Sequence, residues 1–180
     1  MMFWSGYWRW ARHSCCCRKI FVPRVRCGAC RVTHALLPAF VLVRRLDTAG
    51  TIGGVLAVVA AGRCGVRPAA ERAGVAHTTA RGWWRRFATR APVLGAGFAA
   101  LAVELGGEAV TPPPEAARFA AAAIGAAFAA AADLPGWAPL GAWRFASAVT
   151  GGALLAANTP APWFVVGGRR FMPPVPSLPA

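Results

Sequence analysis

Residues 67–87 have the sequence RPAAERAGVAHTTARGWWRRF. Pro68 suits the first turn of a short helix, and Gly74 can adopt the left-handed conformation of a turn residue. A second helix is predicted to begin near His77, because apolar side chains then recur at helical spacing. Those side chains are Ala80, Trp83 or Trp84, and Phe87. A short helix, a glycine turn and a longer helix with one apolar face predict a helix-turn-helix.

The outward positions of this longer helix are polar or basic. The N-terminal residues of a recognition helix contact base edges, so the candidates for base contact are His77, Thr78, Thr79 and Arg81. Arg81 is the strongest candidate, because its forked guanidinium can bond guanine O6 and N7 together. Other arginines are interpreted as phosphate contacts that hold the register: Arg85, Arg86, Arg63, Arg67 and Arg72. The alternative is a basic surface helix whose charges are merely solvated.

More helices are predicted on both sides of this segment. Asp47 or Thr48 can cap a first helix that ends at Gly62. The helix from His77 is expected to end near Thr89, because Pro92 limits its extension. A separate helix then carries an apolar stripe, followed by helices over 115–132 and 143–149. The stripe consists of Leu94, Phe98, Leu101 and Leu105. Ala76 stands at the cap position of the recognition helix, so either Thr78 caps it late or its start frays.

The positive charge is confined to one half of the chain. The formal net charge is +14, and residues 1–90 carry all of it, whereas the charges of residues 91–180 balance. A surface whose excess charge is all positive favours binding of a polyanion, because each arginine placed beside a phosphate releases condensed counterions. Coding bias towards arginine would have enriched both halves. The charge distribution therefore favours a nucleic-acid partner.

The uncharged stretches are too short or too interrupted to predict a membrane span. Hydrophobic residues make up 57% of the chain, but the helix-like uncharged runs fall below the roughly 18–20 residues that a crossing helix needs. Prolines and glycines interrupt the longer run over 145–168. No secretory signal pattern opens the chain. A cytoplasmic protein is expected, and a small membrane-associated protein remains an alternative.

The N-terminal segment is rich in aromatic residues, arginine and cysteine. A strand is predicted over 20–27, and Pro23 is expected to confine it to a sheet edge. The aromatic residues upstream of it are Trp4, Tyr7, Trp8 and Trp10. We interpret them as an outer strand whose rings cover a small core, and the alternative is stacking on single-stranded bases. The clustered cysteines suit metal binding or burial better than a disulfide framework.

Two further stretches carry a resemblance to a known family. Residues 22–38, VPRVRCGACRVTHALLP, precede the helix-turn-helix, and residues 143–152 have the sequence WRFASAVTGG. In this arrangement the chain resembles a family of uncharacterised bacterial proteins that pair a zinc ribbon with a helix-turn-helix. The family is similar to the DNA-binding N-terminal region of insertion-sequence transposases. The resemblance implies a DNA-binding architecture and no particular reaction.

The resemblance also implies a zinc site, although this chain supplies only part of one. Zinc in a ribbon takes four ligands, usually from two Cys-x-x-Cys pairs, and Cys27 with Cys30 forms one pair. Cys15 with Cys17, or His13 or His34, would have to replace the second pair. In the family that pair precedes the aromatic strand, so it would lie upstream of Met1. Zinc is therefore expected only at an incomplete site.

Together these observations predict a mainly α protein. Its parts are a partial zinc-ribbon-like β segment over 1–38, a three-helix DNA-binding domain over 47–90, an Ala-rich helical region over 93–150 and an irregular tail over 151–180. The six acidic residues show no catalytic spacing, so an enzyme is not expected. The expected function is that of a transcription regulator or a transposase-related DNA-binding module. A helical assembly protein, dimerising through the apolar stripe, is the alternative.

Overall fold

A computed structural model describes residues 2–13, 16–29 and 31–157 of the chain. It shows a three-stranded antiparallel sheet followed by helices. The elements are β1 (Met2–His13), β2 (Cys16–Arg26), β3 (Thr33–Ala35), α1 (Ala49–Ala60), α2 (Val66–Arg72), α3 (His77–Glu104), α4 (Ala116–Ala131) and α5 (Ala142–Val149), with a 3₁₀ turn at Ala138–Leu140. The fold is mixed, because two of the strands are 12 and 11 residues long. A mainly α class is therefore only partly correct.

Strand β2 lies in the centre of the sheet, between β1 and β3. The expectation that Pro23 confines its strand to an edge is therefore wrong. Pro23 pairs with Gly6 of β1, and its carbonyl accepts a hydrogen bond from the Leu36 amide at 2.8 Å. The amide and carbonyl of one strand residue point to the same side, so the missing donor of Pro23 faces the β3 side. Strand β3 ends at Ala35, and the proline therefore interrupts only the last pairing on that side.

The far end of β1 joins the sheet to the helical part. The Arg12 amide donates to the Leu46 carbonyl at 2.8 Å, and the Thr48 amide donates to the Arg12 carbonyl at 2.9 Å. The Arg12 guanidinium also binds both carboxylate oxygens of Asp47, at 2.6 and 3.0 Å. Asp47 is only 3% exposed, and this pair satisfies its charge. Asp47 thus links the segment before α1 to the hairpin through this ion pair, and Thr48 is the residue that caps α1.

The predicted start and stop signals of the helices are largely confirmed. The Thr48 hydroxyl accepts a hydrogen bond from the Thr51 amide at the start of α1, and Gly62 has a positive φ just beyond its end. Helix α4 lies within a residue of its predicted bounds, with Glu115 at its N-cap position. Helix α5 begins at Ala142, one residue earlier than expected. The bounds of α1, α4 and α5 therefore follow the local sequence signals closely.

Helix α3 is longer than predicted. It continues through Pro92 to Glu104, so the expected end near Thr89 is wrong, and a boundary between 90 and 93 falls inside one helix. Proline has no amide to donate to the Ala88 carbonyl, but the side chains that follow it are buried against the rest of the chain. Ala91, Leu94, Phe98 and Leu101 are all buried. Their packing compensates for the lost hydrogen bond and continues the helix.

One apolar core runs through the helical part of the chain. It extends from Leu42 to Leu155 and includes residues of all five α-helices. Two glycines allow close approach: a Cβ on Gly53 would lie 1.9 Å from the Trp143 ring, and one on Gly95 would lie 2.5 Å from the Phe119 ring. The stripe residues Leu94, Phe98 and Leu101 contribute to this core. They are therefore covered by the chain itself.

Residues beyond α5 begin the segment that we expected to be irregular. Over 151–157 it forms turns, with positive φ at Gly151 and Gly152, and it buries Leu154 and Leu155. The remainder of the expected tail, 158–180, lies outside the described residues. Within the described ranges no helix combines the length and the apolar character that crossing a bilayer requires.

Candidate nucleic-acid interface

The connection between α2 and α3 has the features expected from its sequence. Gly74 has a φ of +66°, a left-handed conformation that strains residues with a Cβ. Val75 is buried, and its amide donates to the Ala70 carbonyl at 3.0 Å. Ala69 and Ala70 are buried as well. The short turn therefore anchors the start of α3 to α2 through a buried side chain and a backbone bond.

The buried side of α3 consists of the predicted residues. Ala80 and Phe87 are fully buried, and Trp83 is the buried one of the two adjacent tryptophans. The Phe87 ring lies 5.9 Å from the ring of Trp143 on α5, in an edge-to-face arrangement. Aromatic packing of this kind fixes the rotation of α3 about its own axis. That rotation determines which side chains face solvent.

The opposite side of α3 presents the predicted contact residues to solvent. The exposed ones are His77, Thr78, Arg81, Arg85 and Arg86, and Thr79 is half-buried. Among the described residues, Arg81 and Arg85 form neither an ion pair nor a side-chain hydrogen bond. Both guanidiniums are therefore available to a ligand. The cap position, Ala76, makes no side-chain hydrogen bond, and Thr78 does not act as a late cap, since α3 begins at His77.

Arg86 lies close to a second group of arginines that the sequence did not single out. Its guanidinium donates to the Gly82 carbonyl at 2.9 Å, which holds it along the helix. Arg45 is half-buried, and its pKa is lowered by burial and then by the nearby positive charge of Arg86. Arg9 of β1 donates to the Arg45 carbonyl. The basic side of α3 thus continues towards the hairpin.

Arg45 was missed because its place in the fold depends on a tertiary contact. Its side-chain Nε is buried without a hydrogen-bond partner in the described part of the chain. Its Nη1 donates to the Arg44 carbonyl at 3.3 Å, but the guanidinium has no acidic partner among the described residues, so an anion beside it would be stabilising. The one available signal was the adjacent pair Arg44 and Arg45 just before the first cap. Sequence spacing alone does not place that pair beside α3.

The three arginines around α2 are also exposed, as the phosphate-contact prediction requires. They are Arg63, Arg67 and Arg72. Arg67 forms a 3.3 Å ion pair with Glu71, one helical turn away. Both partners are highly exposed, and such a pair contributes well under 1 kcal/mol. The ion pair therefore presents little barrier to a phosphate that competes for Arg67.

A cleft beside α3 gathers several of these cations. It has a volume of about 210 Å³ and lies between α3 and the 155–157 segment. Its polar lining comes from Arg85, Arg86, Thr89 and Arg90. The Thr89 hydroxyl donates to the Arg85 carbonyl at 2.9 Å, so three of the four polar lining residues are arginines and the fourth has its donor engaged. The cleft is suited to an anionic ligand.

The cysteines and histidines separate into two groups along the sheet. Cys27 lies at the turn between β2 and β3, near His34, while His13, Cys16 and Cys17 lie at the other end of β2. Eleven strand residues span roughly 33 Å, so the two groups cannot share one metal ion. Cys17 therefore cannot complete a site that contains Cys27, and Cys15 lies outside the described residues.

Zinc binding by Cys27 and Cys30 stays a prediction. Cys30 lies outside the described residues, so the geometry of the pair is not given. In the part of the chain that the structure describes, no three His, Cys, Asp or Glu side chains come together as a metal site would need. His34 pairs with Val25, two residues before Cys27 on the same strand and turn.

The tryptophans Trp8 and Trp10 of β1 do not cover a core. Trp8 is 61% exposed and Trp10 is 55% exposed. The expectation that these rings shield a small ribbon core is therefore wrong for both. Tyr7 is paired with Val22 and lies on the other face of the hairpin, where Ala11 and Val22 are buried. The Trp4 side chain lies outside the described part.

Comparison with protein-family models, curated proteins and solved structures finds no match to this chain. The resemblance to zinc-ribbon and helix-turn-helix proteins therefore depends on the quoted residues alone.

Proposed function

We propose that the chain binds double-stranded DNA through a helix-turn-helix formed by α2 and α3. In this proposal the start of α3 enters the major groove, where Arg81 reads a guanine and His77, Thr78 and Thr79 contact neighbouring base edges. The observation that carries the proposal is the exposure of Arg81 and Arg85 on the side of α3 opposite Ala80 and Phe87. A protein of this kind acts as a regulator or as a transposase-related binding module.

The surrounding charges support a DNA ligand over a merely solvated helix. A solvated basic face usually pairs its arginines with nearby acids, and only the Arg67–Glu71 pair does so around α2 and the start of α3. Arg45 carries an unpaired buried Nε beside Arg86. Phosphates on both sides of a groove would satisfy these cations, because backbone contacts position a protein without reading sequence.

A random-site selection tests the proposal. The full chain is incubated with a library of duplexes that contain a randomised central segment, and the bound fraction is amplified and sequenced. An enriched motif with an invariant guanine is expected, because bidentate arginine contacts discriminate by about 1–3 kcal/mol at each base pair.

The matched variants are Arg81→Ala and Arg144→Ala, each of which removes one exposed positive charge. Selection with Arg81→Ala is expected to lose the preference for the guanine, whereas Arg144→Ala, on α5, should return the same motif as the unaltered chain. A library that remains random after repeated rounds with the unaltered chain would refute sequence-specific binding.

A further inference from the structure

The outer face of the β1–β2 hairpin is the largest exposed aromatic surface in the described part of the chain. Trp8 pairs with Phe21 across the strands, and Trp10 pairs with Lys19. Directly paired residues project from the same side of an antiparallel sheet, so the four side chains share one face. We call it the hairpin aromatic face, formed by Trp8, Trp10, Lys19 and Phe21.

Ring contacts hold this face in a fixed arrangement. The Trp8 and Phe21 rings meet edge to face, with centroids 5.4 Å apart. The Lys19 ammonium lies 5.7 Å from the Trp8 ring centroid. Phe21 also covers Gly6, where a Cβ would lie 2.0 Å from its ring. The aromatic side chains are therefore preorganised, which lowers the entropic cost of binding a ligand.

The opposite face of the hairpin explains why these rings remain exposed. Ala11 and Val22 project from it and are buried, and Arg9 there contacts the Arg45 carbonyl. The hairpin thus packs on the rest of the chain through one face and presents its indoles on the other. Exposed apolar patches of this kind mark interaction sites in proteins.

The charge of the surrounding chain identifies the class of ligand. Residues 1–46 contain nine arginine or lysine residues and no acidic residue. On β2, Lys19 projects from the hairpin aromatic face, and the exposed Arg18, Arg24 and Arg26 project from the opposite side of the same strand. An uncharged apolar partner would leave this excess of positive charge without an anion to pair with. A nucleic-acid strand uses both features, because its bases stack on aromatic rings while its phosphates contact cations.

We propose that the hairpin aromatic face binds single-stranded nucleic acid by stacking unpaired bases on Trp8 and Trp10, with Lys19 contacting a phosphate. This site is separate from the duplex-binding surface of α3 and does not depend on it. Side chains two residues apart on a strand lie about 6.8 Å apart, twice the roughly 3.4 Å repeat of stacked bases. One base therefore fits between the two positions.

The test measures binding of the full chain to fluorescently labelled oligo(dT) and oligo(U) by polarisation. Trp8→Ala and Trp10→Ala are each expected to weaken binding roughly 5- to 100-fold, as loss of one stacked base does. Neither substitution alters charge, so the salt dependence should stay unchanged. Trp8→Phe keeps an aromatic ring and should restore most of the affinity. The two oligonucleotides distinguish DNA from RNA as the strand that is bound.

Three controls make the result specific. Val103→Ala removes an exposed apolar side chain from α3 and should leave oligonucleotide affinity unaltered. Duplex binding should be unchanged in Trp8→Ala. Arg81→Ala should impair duplex binding and leave oligo(dT) binding unchanged, so that loss of one binding activity is separable from loss of the other.

Equal oligonucleotide affinity of Trp8→Ala and the unaltered chain would overturn the proposal. Light scattering that showed a dimer converted to a monomer by Trp8→Ala would also overturn it, by assigning the face to self-association.

Discussion

At the scale of single residues, the ion pair between Arg12 and Asp47 shows how the fold accommodates a buried carboxylate. Asp47 accepts two hydrogen bonds from one guanidinium, and the Arg12 pKa is raised, first by the hydrogen bond to Asp47 and further by that group's negative charge. Because the pKa of Arg12 is raised, its guanidinium stays charged at neutral and mildly alkaline pH, and its contribution to stability is lost as Arg12 deprotonates in the strongly alkaline range.

Removal of Arg12 should therefore destabilise the fold. Arg12→Ala leaves the Asp47 carboxylate buried without its partner, and we expect the free energy of unfolding to fall by about 2–3 kcal/mol, since Arg12 itself is partly exposed. Urea denaturation followed by circular dichroism measures the change. Arg67→Ala is the control, because it breaks an exposed pair and should cost less than about 0.5 kcal/mol. Equal losses for the two variants would contradict this interpretation of Asp47.

At the scale of elements, α1 carries two adjacent glycines with opposite roles. Gly53 faces the Trp143 ring of α5, whereas Gly54 is exposed and has nothing within 4 Å of its absent Cβ. Only Gly53 is required by packing, because a methyl group there would overlap the indole. Gly54 merely lowers the intrinsic stability of the helix.

The two glycine-to-alanine substitutions should consequently change stability in opposite directions. Gly53→Ala is expected to lower the free energy of unfolding by about 1–3 kcal/mol through overpacking. Gly54→Ala is expected to raise it by about 0.5–1 kcal/mol. Thermal unfolding of the two variants beside the unaltered chain measures both shifts. A stabilised Gly53→Ala would show that α5 does not pack on α1 as the structure has it.

Elements also show what sequence reasoning can and cannot predict here. The cap of α1, the bounds of α4, the turn at Gly74 and the buried side of α3 depend on neighbouring residues, so local patterns predicted them. The continuation of α3 past Pro92 depends on packing with distant α4 and α5, which overrides the local penalty of proline. The central position of β2 and the contact of Arg45 with β1 are likewise long-range, and no local signal indicated them.

At the scale of the whole molecule, the excess positive charge lies in the hairpin, the loop after it, and helices α2 and α3. A surface that gathers this charge should make duplex binding strongly dependent on salt, because each neutralised phosphate releases counterions. The Ala-rich helices α4 and α5 carry little charge and supply the core on which α3 rests.

The salt dependence can be tested on one phosphate contact. Duplex affinity of the full chain is measured between 50 and 200 mM salt, and the slope of log affinity against log salt gives the number of phosphates bound. Arg67→Ala should make that slope shallower by about 1 and should leave the preferred sequence unchanged. A slope near zero for the unaltered chain would exclude phosphate contacts as the source of affinity.

The most direct test of DNA reading by α3 compares two duplexes, the selected site and one in which its guanine is replaced. The affinity of the unaltered chain should differ between them by about 5- to 100-fold, and Arg144→Ala should preserve this ratio. Arg81→Ala should bring the ratio close to one while retaining most of the affinity for the replaced duplex. An unchanged ratio in Arg81→Ala would contradict the assignment of α3 as the helix that reads DNA.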